Sequence, residues 1–396
     1  MPKKLMVGAK WPSSIISSNE LLIMILLFPF FKTSGFDFLG GLSPICNAMI
    51  AIECTIFFLI NLVERRFTTF GKYIVLFSVW TYVIAPLISG NGSPGLFYLF
   101  DALGLLSFFD IGFSVHPSKM IKATAHLFAV MITLNALMVL LIPDGFLAED
   151  GARCYLFGIR TGFSLFIIPG ILFNLVNDKY KGKTSFYTLL TFLAGGYSLL
   201  AKWVVTGLLE LLLIVVLLML MRKKTIATKI NLVWVAISLF IVDFSITIMG
   251  SSLQIMNAIA ILLNKDVTFS GRTLIWAKVI EALSGSPIAG LGAHSTVTIG
   301  LTQRSAHNQW LHFAMEGGYV AMIIVVIAVI FSCITLFKSK NSKWYTVVAI
   351  CTIAVLVGSV TEIQTYVPFF YLIFDMPFLL KRYEENDPFS TTFQDG

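Results

Sequence analysis

Leu311 to Phe337 reads LHFAMEGGYVAMIIVVIAVIFSCITLF. Beyond His312 and Glu316 the run carries no ionisable carboxylate or cation, and at about 1.5 Å per residue it is long enough for the roughly 30 Å hydrocarbon layer of a bilayer. A helix lets such a run satisfy its own backbone groups away from water. Eleven more apolar runs lie between polar breaks: Ile15 to Phe31, Leu39 to Leu62, Tyr73 to Ile88, Gly95 to Val115, Ile121 to Ile142, Tyr155 to Val176, Phe186 to Leu200, Trp203 to Met221, Ile230 to Gly250, Tyr345 to Val360 and Ile363 to Leu380. The expected fold class is an all-α integral membrane protein of about twelve transmembrane helices with a long extracytoplasmic loop.

Composition agrees. Of 396 residues, 57% are hydrophobic and 12% charged, and the mean hydropathy is +0.87, more apolar surface than an aqueous globule can hide. The net charge of +7 would suggest nucleic acid in a soluble protein, so the placement of the cations decides its meaning. With a cytoplasmic N-terminus, only Lys32, Arg153, Arg160, Lys202, Lys265, Arg272, Lys278 and Arg304 fall outside; the other 20 of 28 fall in inside loops. That asymmetry is the positive-inside pattern, and it supports both the count and cytoplasmic placement of both termini. No nucleic-acid partner is expected. The first run lacks a small-residue cleavage site and reads as a retained helix. Cys46, Cys54, Cys154, Cys333 and Cys351 show neither metal-site nor disulfide-scaffold spacing, and all five read as inert.

The expected organisation is 1–250 for helices one to nine, 251–309 for the long outer loop, 310–382 for the last three helices and 383–396 for a cytoplasmic tail. A loop as long as Ser251 to Gln309 is usually functional. Within it, TLIWAKVIEAL (Thr273 to Leu283) has apolar residues at helical spacing and suits a helix lying at the membrane surface. Ser286-Pro287 ends it, and Gly290-Leu291-Gly292 should make the next turn flexible. Arg160, Arg272 and Arg304 are outer guanidinium groups able to fork onto phosphate oxygens; lipid-headgroup anchoring is the other reading. His307 can exchange a proton near neutral pH or simply cap the following helix. Glu316 lies two and a half turns beyond it, on another face.

Ser270-Gly271-Arg272, Trp276, Ser286-Pro287-Ile288, Gly290-x-Gly292, Ala306-His307-Asn308, Leu311 and Glu316-Gly317-Gly318 occur in one order. This ordered set resembles the signature of the O-antigen polymerase and ligase family, over about 120 residues from near Lys202 to the tenth run. The resemblance implies a multispanning, GT-C-like glycosyltransferase of the bacterial cytoplasmic (inner) membrane. Its donor would be an undecaprenyl-pyrophosphate-linked oligosaccharide, with membrane lipid and a chain-length regulator as further partners and no metal or other cofactor. It also implies that Arg272 and His307 match the family's loop arginine and histidine, and that Arg160 matches the basic residue of the earlier outer loop. Where the family tends to carry Ser-Arg, this chain reads Ala201-Lys202, which keeps the cation and loses the fork. Arg272, Arg160, Lys202 and Arg304 would hold the pyrophosphate, His307 would orient or deprotonate the acceptor hydroxyl, and Glu316 is a further candidate base.

The favoured acceptor is another lipid-linked repeat unit, as for a polysaccharide polymerase, because the Phe- and Ile-rich spans look like those of locus-specific polymerases. A ligase acting on a lipid A core or a protein is the alternative. Glu53, Asp101, Asp110, Glu210 and Asp243 inside spans keep a transporter or lipid-linked glycan flippase open, although no interrupted half-helices are evident in the sequence. Gly182-Lys183-Thr184 reads as a cytoplasmic turn, and Gly158 with Gly162 as a helix-packing pair.

Overall fold

A computed structural model describes residues 19–90, 96–148, 151–222, 230–249, 272–292, 297–299, 301–303 and 305–386. Each of the twelve apolar runs contains a helix. The first nine are α1 (Glu20–Leu27), α2 (Leu42–Glu64), α3 (Thr69–Ser89), α4 (Leu96–Val115), α5 (Pro117–Leu141), α6 (Ser164–Lys181), α7 (Phe186–Ala201), α8 (Val205–Leu220) and α9 (Leu232–Met249). The loop helix is α10 (Arg272–Leu283), and α11 (Gln309–Lys338), α12 (Tyr345–Gly358) and α13 (Phe369–Asn386) follow. Among the described residues α2, α3, α5, α11 and α6 with its leading turn are long and apolar enough to cross a membrane. Shorter apolar helices include α1, α7, α8, α9 and α12. The chain is an all-α membrane protein.

Packing divides the helices into apolar outer faces and an aromatic interior. On α2, Ile45, Ile52, Ile56 and Leu59 are exposed, whereas Cys46, Ile50, Cys54 and Phe57 face α4. That exposed apolar stripe has lipid as its natural solvent. Inside, Phe31, Phe128 and Phe369 form a cluster with ring centroids 4.7 to 4.8 Å apart, and Phe166 joins it at 5.8 to 5.9 Å from Phe31 and Phe369. Offset and edge-on aromatic contacts of this kind lock helix against helix beyond simple area burial. All five cysteines are buried and free.

Three departures from the sequence reading have identifiable causes. Tyr155 does not begin a helix. Phe146–Leu147 (β1), Arg153–Tyr155 (β2) and Gly158–Ile159 (β3) form a small antiparallel sheet, and α6 starts after a 3₁₀ turn at Arg160–Gly162. Gly158 therefore supplies a turn at φ +74° rather than a helix-packing surface. The sheet is pinned by Thr33, whose hydroxyl donates to the Leu156 carbonyl at 2.7 Å, and by Asn135, whose side chain accepts from the Phe157 amide at 3.1 Å.

The second departure is a break in α11. Gly317 and Gly318 leave the helical conformation, with Gly318 at φ +73°. The Trp80 indole donates to the Gly317 carbonyl at 2.7 Å, and the Tyr319 amide donates to the Pro287 carbonyl at 2.8 Å. Trp80 opens a π-helical turn, Trp80–Ile84, so the two irregular segments lie against each other. Unwound backbone at this depth is tolerated because protein groups satisfy it.

The third departure concerns α10. Ile275, Trp276, Val279 and Leu283 pack with Ala306, Leu311, Ala314 and Met315, so the apolar face covers α11 instead of only resting on lipid. Nor is the turn after it loose. Leu291 donates its amide to Met315 at 2.7 Å, and Gly290 lies so close to Gly318 that a Cβ there would sit 2.4 Å from the Gly318 nitrogen. The glycines permit close backbone approach rather than flexibility.

Candidate active site

Arg272 is the first residue of α10, where its charge opposes the positive end of the helix dipole. A partner offsets that cost. Glu362, in the connection between α12 and α13, forms an ion pair with the Arg272 guanidinium, and both side chains are mostly buried. Burial raises the Glu362 carboxyl above its ordinary range, while Arg272 pulls it back down. The carboxylate thus holds the guanidinium in place at the mouth of the bundle.

His307 lies close enough to feel the charge of the same guanidinium. Burial, and then the neighbouring charge of Arg272, push its pKa down to about 4, so the imidazole is neutral at pH 7. Its backbone sits at φ +48°, a left-handed conformation uncommon for a bulky residue, and its amide donates to the Ser305 hydroxyl at 3.1 Å. The capping role belongs to its neighbour. Asn308 is the N-cap of α11, accepting from the Leu311 amide at 2.8 Å. Its amide nitrogen also reaches Asp243 at 2.7 Å and the Val360 carbonyl at 3.2 Å.

Beneath this pair lies a buried polar network. The Gln309 side-chain oxygen accepts the amides of Gln364 at 2.6 Å and Thr365 at 3.0 Å, and Gln364 donates in turn to Glu210 at 3.0 Å. Glu210 and Asp243, two of the five intramembrane acids that kept a transport path open, are here bound to residues that shape the loop, whereas both carboxylate oxygens of Glu53 are buried with no hydrogen-bond partner among the described residues. Asp110 is occupied, by Arg382 at 3.2 Å, at the opposite end of the bundle.

A second cationic cluster lies at the same end as Arg272. Arg160, Arg153 and Lys202 line a cleft of about 510 Å³ together with Asp144, Tyr155 and Thr161. Lys202 donates to the Pro143 carbonyl and stands 4.8 Å over the Tyr155 ring, which fixes its ammonium at the cleft wall. The clusters are linked through Thr206 and Thr361, whose hydroxyls are 3.3 Å apart. Thr206 is four residues from Lys202, and Thr361 adjoins Glu362.

The structure thus places His307 within reach of the Arg272 charge, and Arg160 and Lys202 around one cleft. It does not bring Glu316 to His307: the carboxylate faces His312, at 3.6 Å, one turn away on its own helix. Arg304 and Ser270-Gly271 lie outside the described residues. Glu362 and Gln309 escaped the sequence reading as site residues, and Arg153 and Asn308 entered it only as an outer cation and as part of the Ala306-His307-Asn308 motif. Only the His312-to-Glu316 spacing of four and the Asn308 cap position carried a local signal. Arg153 stood among the outer cations without a distinguishing neighbour, and Glu362 had none at all.

One end of this helical bundle thus holds the Arg272–Glu362 pair, a neutral imidazole and the Arg153, Arg160 and Lys202 cleft. Residues 184–326 match the family described as O-antigen ligase, a stretch running from α7 into the first part of α11. The match covers 143 of the 396 residues, and over that stretch the chain is similar to the O-antigen polymerase and ligase family, whose members are membrane glycosyltransferase-like enzymes. Lys202, Arg272 and His307 fall within the match; Arg160, Arg153 and Glu362 do not. Comparison with curated proteins found no match.

Proposed function

We propose that this chain is a twelve-span, GT-C-like glycosyltransferase that polymerises a polysaccharide of the O-antigen, capsule or exopolysaccharide kind. It would transfer glycan from undecaprenyl pyrophosphate to a lipid-linked repeat unit on the outer face of the cytoplasmic membrane, with both its termini inside. The observation that carries this reading is the convergence of Arg272, Glu362 and His307 at the same end of the bundle as the Arg160, Arg153 and Lys202 cleft. In the reaction the sugar C1–O bond to the diphosphate breaks, C1 bonds to the acceptor oxygen, and the hydroxyl proton leaves. Negative charge grows on the departing diphosphate, so preorganised cations stabilise the transition state more than the ground state. Arg272 and the cleft cations would hold that charge. His307 is neutral and can accept the acceptor proton; a diphosphate neutralising Arg272 would remove one of the two influences that lower its pKa. Glu316 would act only through His312.

The test is Arg272→Ala and His307→Ala in a strain that depends on this gene. Long glycan chains should disappear while the protein still inserts; a normal chain-length ladder from both variants rules the reading out. The family description favours a second reading, a ligase transferring to lipid A core or protein. Deletion separates the two: loss of a polymerase leaves single repeat units on the final acceptor, whereas loss of a ligase leaves polymer on its carrier.

A further inference from the structure

Gln309 is the first residue of α11, fully buried and two places after His307. An amide there has no partner within its own helix, and a carbonyl at the end of a helix is equally unprovided for. Here the two meet, because the Gln309 amide donates to the carbonyl of Ser359, just past α12, at 2.9 Å. The side chain closes the far end of the same connection. Its oxygen accepts the amides of Gln364 and Thr365, and its nitrogen donates to the Thr365 hydroxyl at 3.1 Å. Asn308, one residue earlier, holds the near side through the Val360 carbonyl. The loop 359–365 is thereby stapled at both ends to the start of α11, and at its middle stands Glu362, paired with Arg272. Leu or Met would fill this buried space as well; a carboxamide adds an oxygen that accepts two amides and a nitrogen that donates to a hydroxyl.

We propose that Gln309 is a positioning residue for glycosyl transfer: by closing the 359–365 loop it sets where Glu362 holds Arg272 relative to His307. The inference rests on the reading that Arg272 bears the charge of the departing diphosphate while His307 handles the acceptor hydroxyl. Those two groups stand at opposite ends of the long outer loop, and the approach of acceptor oxygen to sugar C1 depends on their separation. One side chain governs both, lying two residues from His307 and, through Gln364, two residues from Glu362.

Gln309→Met keeps the size of the side chain and removes its three hydrogen bonds. In a strain that depends on this gene, the rate at which glycan chains lengthen, per inserted protein, should fall roughly tenfold. Because the effect runs through Glu362, Gln309→Met added to Glu362→Gln should slow lengthening no further than Glu362→Gln alone; a merely structural role would multiply the two losses. A wild-type rate in Gln309→Met, or a multiplied loss in the double variant, overturns the proposal. Should Gln309→Met fail to insert, Thr365 decides: Thr365→Val should slow lengthening roughly threefold, again with no further loss on top of Glu362→Gln, and Thr365→Ser should restore it. A normal rate in Thr365→Val, or equal slowing in Thr365→Ser, overturns the proposal as well. Arg272→Ala and His307→Ala run alongside separate the failures. If they lose long chains while Gln309→Met is normal, this inference alone falls; if both give a normal ladder, the transfer reading falls and takes this inference with it.

Discussion

Gly290→Ala tests whether the loop and the broken helix act as one unit. Gly290 has φ +70°, and an added Cβ would lie 2.4 Å from the Gly318 nitrogen, 2.8 Å from the Met315 carbonyl oxygen and 2.9 Å from that of Ala314. All three are backbone atoms, so none can swing aside. The left-handed conformation costs an L-residue about 1–2 kcal/mol, and forcing a methyl into a packed site adds about 1–3 kcal/mol. The sum, about 2–5 kcal/mol, exceeds what one or two hydrogen bonds holding the turn contribute. The cheapest relief is for residues 286–292 to lift from Gly318, breaking the Leu291-to-Met315 and Tyr319-to-Pro287 hydrogen bonds and releasing the C-terminal end of α10. Arg272 would then lose its fixed position, and misplacement by about 1 Å can cost roughly a hundredfold in rate. Gly285→Ala is the matched control, since its Cβ would meet only the Ala282 oxygen at 3.6 Å and its φ is not positive. The assay pairs the glycan ladder with thermal unfolding of purified protein by fluorescence-detected size exclusion. Wild-type ladders and unfolding temperature in Gly290→Ala would refute the docking of loop on helix as a requirement for the site.

Glu362→Gln removes the charge that holds Arg272, and with hydrogen bonds to charged groups worth about 1.5–3 kcal/mol it should slow transfer at least roughly tenfold, read as shortened glycan chains; an unchanged ladder would sever Glu362 from the site. Because the folded pKa of His307 is lowered to about 4, the unfolded chain takes up a proton from about pH 6.5 downward that the folded chain refuses, so His307 subtracts stability as pH falls through that window. His307→Gln should therefore gain in unfolding temperature relative to wild type at pH 5 compared with pH 7.5, and a difference independent of pH would contradict the burial of the ring. Lys278→Cys, on the exposed face of α10, should react with a membrane-impermeant maleimide in cells whose outer membrane has been permeabilised, against a low background from the five buried cysteines; labelling only after lysis would reverse the topology.

The helices were legible in the sequence because a membrane span is a local property: hydropathy against a slab of fixed thickness, with every backbone hydrogen bond closed inside the segment. The twelve runs accordingly all hold helices, and the ordered motifs around Arg272 and His307 pointed to the family that the match over 184–326 supports. What hydropathy does not register is backbone dihedral angle, so Gly317-Gly318 vanished into one continuous apolar run, and the strands around Tyr155 were read as the start of α6. The partners of the site residues were illegible for a different reason. Arg272 meets Glu362 across 90 residues, Asn308 meets Asp243 across 65, and Gln364 meets Glu210 across 154. No periodicity spans such separations, and only the packing of α8, α9, α10, α11 and α12 decides which buried charge finds which partner. Sequence determined that apolar helices run the length of this chain and which of its cations fall between them; tertiary structure decided how Arg272 is held, that burial keeps His307 neutral, and that Asn308 rather than His307 caps the helix.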